Sequence, residues 1–235
     1  MRIGITGVSG FIGQALAKAC VEAGHEVVGF SRKPDRELQN VASVRGILDF
    51  DVSGLDAIVN LAGDPLFGLW TRGKKRRIWD SRVEFTEGLV RAIEKLTPAE
   101  RPKVFVSGSG IGIYGNRGDD ALTESEPVGD GEVARLAQAW EEAAVRGQEL
   151  GLRVVLARIS MALGPGGGPA KLLGRVFKLG LGGKFGNGKQ WVSWIAVADL
   201  AQQLLAAASD STISGAVNCA SPNPVTNFEM TKLRH

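Results

Sequence analysis

The sequence is short of the residues on which metal and thiol chemistry depend. Among 235 residues it has two cysteines, Cys20 and Cys219, near opposite ends of the chain, and two histidines, His25 and His235. No Cys-x-x-Cys and no His-Glu-x-x-His pattern occurs, which argues against a disulfide framework, a zinc site and a metal–histidine enzyme. We therefore expect no metal and a reducing compartment, which indicates a cytoplasmic protein.

Long apolar runs are also missing. No uninterrupted apolar stretch approaches the roughly 18 residues of a membrane span, and the N-terminus lacks a basic segment followed by an apolar one. The net charge of +3 is too small to indicate a nucleic-acid partner by itself. We expect no membrane and no nucleic acid among the partners, while a homodimer stays open.

One charge run needs separate treatment, because Arg72–Arg77 contains five positive side chains. It fits a nucleic-acid patch, a solvated helix start, or a contact to an anionic substrate or a cofactor phosphate. No interleaved aromatic platform accompanies it beyond Trp70 and Trp79, which disfavours nucleic acid. The other two interpretations stay open.

Glycine is abundant, with 32 residues, and β-branched segments alternate with amphipathic ones. This alternation predicts an α/β fold with a Rossmann-type doubly wound parallel sheet. The predicted strands are Ile3–Thr6, His25–Phe30, Val44–Leu48, Ala57–Leu61, Val104–Val106, Val154–Ile159 and Ala216–Cys219. The predicted helices are Phe11–Ala23, Ile78–Leu96, Glu132–Leu150 and Val197–Ala208.

A glycine-rich turn joins the first predicted strand to the first predicted helix. Residues without a Cβ let backbone N–H groups approach a pyrophosphate, and the positive end of the helix dipole favours its charge. Because a second strand follows at the spacing of a βαβ unit, the turn predicts a dinucleotide site rather than only a tight turn. The predicted contacts are Gly7, Ser9, Gly10, Phe11, Ile12 and Gly13.

The end of the second predicted strand distinguishes NAD(H) from NADP(H). An acidic residue there would accept hydrogen bonds from an unphosphorylated ribose. The sequence instead has Ser31 and Arg32, and no acid occurs before Asp35. Because a guanidinium and a hydroxyl complement a 2′-phosphate, we expect NADP(H) rather than NAD(H).

Several motifs resemble the extended short-chain dehydrogenase/reductase superfamily of sugar-nucleotide epimerases and dehydratases. The N-terminal match is Thr6–Gly13. Further motifs are similar to an atypical NAD(P)-dependent epimerase/dehydratase-like subgroup, some of whose members carry the label "cell division inhibitor": Asn60–Gly63, Asp80–Val83, Tyr114–Gly118, Leu163–Gly168, Gln190–Ile195 and Asn223–Asn227. The resemblance covers essentially the whole chain. Members of the family continue for some tens of residues beyond the position of His235, so it stays open whether the chain is complete.

The resemblance implies further cofactor contacts. It places the end of the fourth strand beside the adenosine and pyrophosphate, and it lets two arginines reach the cofactor from the following helix. It places the end of the sixth strand near the nicotinamide, although relatives usually have asparagine at the position of Met161. The implied residues are Leu61, Ala62, Gly63, Arg77, Arg82, Ser107 and Ser160.

The proton-transfer pair of the family is missing. In active members, a Tyr-x-x-x-Lys pair on the helix after the fifth strand moves the proton while the nicotinamide moves the hydride. Counting back from Glu141, which matches a family glutamate, puts Ala137 at the lysine position and Val133 at the tyrosine position. The one tyrosine of the chain is Tyr114.

Two hydroxyls remain as catalytic candidates, Ser109 and Tyr114. Ser109 follows the fifth predicted strand, where it could bond a substrate carbonyl or hydroxyl. In the alternative interpretation, Ser109 caps a turn and Tyr114 packs beneath the loop. Trp191 and Trp194 either pack in the core or form an aromatic wall of the substrate pocket.

We predict an NADP-binding domain over residues 1–163 and a small, loop-rich substrate-side lobe over residues 164–235, interleaved with the last helix and strand of the sheet. A short helix is predicted over Lys171–Leu179. The first functional hypothesis is an NADP(H)-dependent oxidoreductase or epimerase/dehydratase-like enzyme acting on an unknown small molecule. The second is an NADP(H)-binding sensor or regulator without turnover. A protein-interaction role has no sequence feature to support it.

Overall fold

The central element is a seven-stranded parallel sheet. The computed structural model describes residues 1–33, 37–47, 50–165, 167–168, 183 and 186–232. The sheet strands are β1 (Arg2–Thr6), β2 (Glu26–Ser31), β3 (Ser43–Gly46), β4 (Ala57–Asn60), β5 (Val104–Gly110), β6 (Arg153–Ile159) and β10 (Gly215–Cys219). Their spatial order is β10-β6-β5-β4-β1-β2-β3, and every neighbouring pair is parallel.

The helices cover both faces of this sheet. They are α1 (Phe11–Glu22), α2 (Arg72–Asp80), α3 (Val83–Glu94), α4 (Glu132–Val145), α5 (Val197–Ser209) and α6 (Asn227–Lys232), with 3₁₀ turns at Ile111–Tyr114 and Arg146–Leu150. On one face, Leu16 of α1 and Leu204 of α5 pack on the sheet. On the other face, Leu89 of α3 and Ala144 of α4 pack around Phe105. The predicted α/β doubly wound sheet is confirmed.

Two small sheets follow the sixth strand. Strands β7 (Met161–Leu163) and β9 (Trp194–Ala196) are parallel, whereas β8 (Trp191–Val192) and β11 (Val225–Thr226) are antiparallel. The predicted helix Lys171–Leu179 and the end of the third predicted strand at Leu48 lie outside the described residues. The division of the chain at residue 163 stays a prediction.

The helix predicted over Ile78–Leu96 is wrong as a single helix. The chain instead forms α2, which begins after the N-cap Thr71, and α3, with Ser81 and Arg82 between them. The Ser81 hydroxyl donates to the backbone oxygen of Ile78 and accepts from the backbone N–H of Asp64. This contact with a distant loop stabilises the break, and periodicity alone carries no sign of it.

Two other boundaries differ from the prediction by more than two residues. Strand β5 continues four residues past Val106 to Gly110, because these residues pair with β6 as far as Ile159. The helix predicted over Glu132–Leu150 ends at Val145 and continues as a 3₁₀ turn. Ser109 therefore lies within a central strand, not in the loop after it.

Candidate cofactor site

The strand order of the sheet reverses at β1, and the crevice expected at this switch point is the candidate site. From β1 the chain leads to β2 and β3 on one side, while β4, β5 and β6 lie on the other side. In open α/β sheets, ligands bind at such a switch point, beyond the carboxyl ends of the strands. The glycine turn after β1 lies at this point.

The glycine turn requires residues without a Cβ. Gly7 has a positive φ of 66°, and a Cβ on Gly7 would lie 2.7 Å from the backbone oxygen of Leu61. A Cβ on Gly13 would overlap the backbone oxygen of Gly7. The turn is closed by a hydrogen bond of 2.8 Å from the Gly10 N–H to the Gly7 oxygen. Side chains at these positions would collide with the backbone of the turn and of the segment after β4.

The first turn of α1 offers its N–H groups to a ligand. Its N-cap, Gly10, has no side chain, and no side-chain hydrogen bond caps the helix. The first N–H groups of a helix have no intrahelical partner, and the helix dipole adds partial positive charge there. The residues present therefore fit the pyrophosphate of a dinucleotide.

The neighbouring residues of the turn have different surroundings. Ser9 is exposed, and its backbone oxygen accepts a hydrogen bond from Gln14. Ile12 packs against the core beneath the sheet. The ring of Phe11 lies against the backbone of Gly168, where a Cβ would come within 2.7 Å of it. Phe11 thus joins the glycine turn to the start of the predicted substrate-side lobe.

A buried hydroxyl fixes the wall opposite the turn. Thr6 Oγ1 donates to Asn60 Oδ1 at 2.6 Å and accepts from the backbone N–H groups of Leu61 and Ala62 at 3.0 and 3.1 Å. Asn60 in turn donates to Thr86 Oγ1. This network holds Leu61 and Ala62 against Gly7. Sequence reasoning missed the network, although a polar residue ending a buried apolar strand was a usable signal.

The end of β2 carries the predicted 2′-phosphate contacts. Ser31 Oγ accepts a hydrogen bond of 3.1 Å from the backbone N–H of Lys33. Arg32 is exposed, and it forms no ion pair with any residue in the described part of the chain. Asp35, the first acid after the strand, lies outside the described residues. An exposed guanidinium beside a hydroxyl is suited to a phosphate.

The cations of α2 are distributed among carboxylates. Lys74 Nζ lies 2.6 Å from Asp64 Oδ2, Lys75 Nζ lies 2.6 Å from Glu132 Oε1, and Arg76 pairs with Asp80. Arg77, a predicted cofactor contact, lies 3.8 Å from the Asp64 carboxylate and is largely exposed. The hydrogen bond from Lys74 lowers the pKa of Asp64. Most of the positive side chains in Arg72–Arg77 are therefore paired with carboxylates of the same chain.

Arg82 lies beneath the loop that follows β4. It is buried, it donates from Nη1 to the Asp64 backbone oxygen at 3.0 Å, and its guanidinium lies 5.3 Å from the centre of the Trp140 ring. Gly63 packs directly on it, since a Cβ there would lie 2.9 Å from Arg82 Cζ. Arg82 thus adjoins Gly63 and Ala62 at the crevice.

Two predicted serine contacts donate to backbone oxygens. Ser107 is buried in β5, and its hydroxyl donates to the backbone oxygen of Gly108 at 3.2 Å. Ser160 Oγ donates to the backbone oxygen of Cys219 at 2.8 Å. The Ser107 bond lies within β5, whereas the Ser160 bond joins the residue after β6 to the last residue of β10. Whether either residue also contacts a cofactor stays a prediction.

The catalytic candidates Ser109 and Tyr114 belong to one buried hydrogen-bond network. Ser109 Oγ donates to Glu141 Oε1 at 2.7 Å, and Glu141 pairs with Arg158 through two hydrogen bonds of 2.9 Å. The Tyr114 hydroxyl accepts from Arg158 Nη1 at 2.9 Å and donates to Asn218 Oδ1 at 2.6 Å. The bonds to Glu141 raise the pKa of Arg158.

The expected turn cap at Ser109 is wrong, because its hydroxyl bonds to helix α4 from within β5. Next to an ionised carboxylate, which only accepts, Ser109 must donate its proton. The Ser109 oxygen can then only accept a hydrogen bond from a ligand. Tyr114 is 3% exposed, and its hydroxyl has a partner on each side.

The face of α4 that would carry the tyrosine and lysine is apolar. Val133 packs on Gly112, where a Cβ would come within 2.5 Å of Val133 Cγ1. Ala137 is buried in a cluster with Ile113 and Tyr114. Neither position holds a group that transfers protons at ordinary pH.

The two tryptophans after β7 both use their indole N–H groups. Trp191 is half exposed, which contradicts a core position, and it donates to Asp119 Oδ1 at 2.6 Å. Trp194 donates to the backbone oxygen of Asn223 at 3.0 Å.

No group of three His, Cys, Asp or Glu side chains within the described residues could hold a metal ion. None of the helices in the same part of the chain is both long and apolar enough for a membrane span.

Comparison with known proteins agrees with this geometry. The model of the NAD dependent epimerase/dehydratase family matches residues 3–220. The chain belongs to this family. The epimerase family protein YfhF of Bacillus subtilis is 35% identical over 233 residues, which cover 96% of this chain and 76% of YfhF. The predicted resemblance to this family is confirmed. A nicotinamide dinucleotide as cofactor is confirmed at the level of the family.

Two solved structures of family proteins are similar to this chain. The human epimerase family protein SDR39U1, isoform 2, was crystallised with NADPH; it has a TM-score of 0.85 and 31% identity, with 97% of this chain and 77% of that chain covered. A nucleoside-diphosphate sugar epimerase from Corynebacterium glutamicum has a TM-score of 0.83 and 35% identity, with 99% of this chain and 49% of that chain covered.

Proposed function

We propose that this epimerase/dehydratase family member is an NADP(H)-dependent oxidoreductase or epimerase/dehydratase-like enzyme that acts on a small substrate. The observation that carries the proposal is the cradle formed by Gly7, Gly13 and the uncapped start of α1 against the Leu61–Ala62 wall. The NADPH in the crystals of the human relative supports the same cofactor. A cytoplasmic location belongs to this proposal as well.

The cofactor contacts follow the sheet from β2 to β5. Ser31 and Arg32 would hold the 2′-phosphate, and the N–H groups of Phe11 and Ile12 would hold the pyrophosphate. Arg77 stays a predicted cofactor contact. When bound, a nicotinamide supplies or accepts a hydride at its C4 atom.

The hydroxyl of Ser109 would orient the substrate. Because its proton is held by Glu141, its oxygen accepts a hydrogen bond and therefore favours a substrate hydroxyl over a carbonyl. Both oxygens of Glu141 already accept hydrogen bonds from Arg158, and we assign Ser109 an orienting role. The proton of the substrate would pass to water, since Val133 and Ala137 offer no carrier.

Transfer of label from 4-deuterated NADPH tests this proposal. The protein is incubated with the labelled cofactor and a panel of small aldehydes, ketones and keto acids, and the products are examined by mass spectrometry. We expect deuterium in at least one alcohol product, with NADPH oxidised in equal amount. No transfer and no oxidation across the panel would count against turnover.

The second candidate is an NADP(H)-binding sensor without turnover. The observation that favours it is the apolar face of α4, together with hydroxyls at Ser109 and Tyr114 that already have partners. A sensor would bind NADPH and NADP⁺ with different affinities and would oxidise none of the labelled NADPH. The same experiment therefore separates the two candidates.

A further inference from the structure

Arg82 is a buried cation without an anionic partner in the described chain. It is only 9% exposed. Its Nη1 atom donates to the backbone oxygens of Asp64, at 3.0 Å, and Ile78, at 3.4 Å, while Nε and Nη2 donate to no described residue. Buried charges in proteins are normally paired, because removing a charge from water is costly. No side-chain nitrogen in the described residues is both buried and without a partner, so Nε and Nη2 reach solvent, where they are open to an anionic ligand.

The nearest carboxylate already has partners. Asp64 accepts a hydrogen bond of 2.6 Å from Lys74 and lies 3.8 Å from Arg77. It does not come within ion-pair distance of Arg82, which contacts only its backbone oxygen. Burial accordingly lowers the pKa of Arg82. The Asp64 carboxylate thus acts on Arg82 only through space, and no anion in the described chain forms an ion pair with its guanidinium.

The guanidinium lies close to two surfaces. A Cβ on Gly63 would lie 2.9 Å from Cζ and Nη2. The centre of the Trp140 ring lies 5.3 Å from Cζ. A planar guanidinium presents a fork of N–H groups that matches the two oxygens of a carboxylate or phosphate.

The phosphates of the cofactor have other sites. Under the proposed function, the 2′-phosphate lies at Ser31 and Arg32 after β2, and the pyrophosphate lies at the start of α1. Arg82 adjoins the end of β4, which is on the opposite side of β1 from β2 and next to β5. This is the side of Ser109, where the nicotinamide and the substrate would meet.

We propose that Arg82 binds an acidic group of the substrate, a carboxylate or a phosphate, placed beside Gly63, in place of the cofactor contact that the family resemblance implied for it. The substrate is therefore an anion that also carries the hydroxyl or carbonyl to be converted. This assignment rests on the proposed function, from which it takes the position of NADP(H). It makes Arg82 a specificity-determining residue.

Two simple anions test the assignment in the intact chain. Protein saturated with NADPH is titrated with malonate and, separately, with inorganic phosphate at constant ionic strength, and binding is followed by NADPH fluorescence. We expect saturable binding of at least one anion. Malonate alone would identify a carboxylate substrate, and phosphate alone would identify a phosphorylated one.

Arg82→Gln should weaken anion binding by about tenfold or more, which is the usual effect of losing charge-assisted hydrogen bonds. Its affinity for NADPH should change by less than about twofold, because the cofactor phosphates bind elsewhere. The matched control is Arg76→Gln, which removes an exposed charge from α2 and should change neither affinity. Arg82→Lys should recover only part of the binding, because lysine lacks the planar fork.

Gly63→Ala provides a second test if Arg82→Gln does not fold. The added Cβ displaces the flexible end of Arg82 while keeping its charge, so anion binding should again weaken. Three results would overturn the assignment: no saturable anion binding to the NADPH complex, equal anion affinity in Arg82→Gln, or an NADPH affinity reduced about tenfold by Arg82→Gln. Failure of the unmutated protein to bind NADPH would instead overturn the proposed function, and this assignment with it.

Discussion

Two charged side chains, Glu141 and Arg158, determine which hydrogen bonds the hydroxyls of the site can form with a ligand. Ser109 and Tyr114 are the residues to which a catalytic role is most readily given, yet both lie in a network organised by the Glu141–Arg158 pair. Both members of this pair have side chains that are 9% exposed. The pair therefore fixes the direction of the hydrogen bonds, and through them what Ser109 can offer a substrate.

Removing one charge of this pair should be strongly destabilising. Glu141→Gln keeps the shape but leaves Arg158 buried and unpaired, which typically costs about 3–5 kcal/mol of unfolding free energy. Urea denaturation followed by circular dichroism measures the change. Glu142→Gln, one residue further along α4 and exposed, should stay within about 0.5 kcal/mol. A change of less than about 1 kcal/mol for Glu141→Gln would show that the pair does not organise the network.

At the scale of elements, the start and end of α1 have different requirements. Its first turn is left uncapped for a ligand, whereas its C-terminus is closed by Gly24 at a φ of 78°. The His25 N–H bonds to the Cys20 oxygen and the Gly24 N–H bonds to the Val21 oxygen, which is the Schellman arrangement. This closure allows β2 to begin within four residues of the helix end.

Gly24→Ala should destabilise the protein through backbone conformation alone. No atom lies within 4 Å of the added Cβ, so the expected loss of about 1 kcal/mol comes from the left-handed φ. The control is Gly73→Ala on the exposed start of α2, which should be neutral or stabilising by up to about 1 kcal/mol. Thermal and urea unfolding of both variants measure the effect. Equal stability of the two variants would contradict the assignment of Gly24 as the helix terminator.

At the scale of the whole molecule, both thiols are enclosed by the core. Burial raises the pKa of Cys20 to about 11 and that of Cys219 to about 12. In the unfolded chain a thiol ionises near pH 8.5. Above that pH the unfolded state has released protons that the folded state retains, so the unfolding free energy falls as the pH rises.

The thiols should contribute to alkaline destabilisation between about pH 9 and pH 11, by up to about 1.4 kcal/mol per pH unit for each thiol. Urea denaturation of the unmutated protein and of the double variant Cys20→Ala, Cys219→Ala over this range isolates their contribution. We expect a shallower decline for the double variant. Parallel pH profiles would mean that the folded thiols ionise as readily as the unfolded ones.

Much of the fold could be predicted because it depends on local patterns. Buried apolar runs predicted the strands of the sheet, and the glycine spacing predicted the turn after β1. The features that were missed depend on distant partners. The break at Ser81 depends on Asp64, and the bond from Tyr114 to Asn218 spans 104 positions. Hydrophobic periodicity carries no information about such pairs.

The backbone part of the candidate site could be predicted from the sequence, but its side-chain interactions could not. Its backbone contacts follow from glycines in a βαβ unit, which is a local signal. The unpaired state of Arg82 could not be predicted, because it depends on Lys74 and Arg77 together occupying Asp64. The direction of the Ser109 hydrogen bond likewise depends on Glu141 and Arg158, which only the folded chain brings together.

The central claim is that NADP(H) binds at the glycine turn with its 2′-phosphate on Ser31 and Arg32. Fluorescence titration of the unmutated protein and of Arg32→Ala with NADPH and NADH tests it most directly. We predict that the unmutated protein binds NADPH about tenfold or more tightly than NADH, and that Arg32→Ala loses most of this preference while keeping its affinity for NADH. Equal affinity of the unmutated protein for the two cofactors, or binding of neither, would contradict the account.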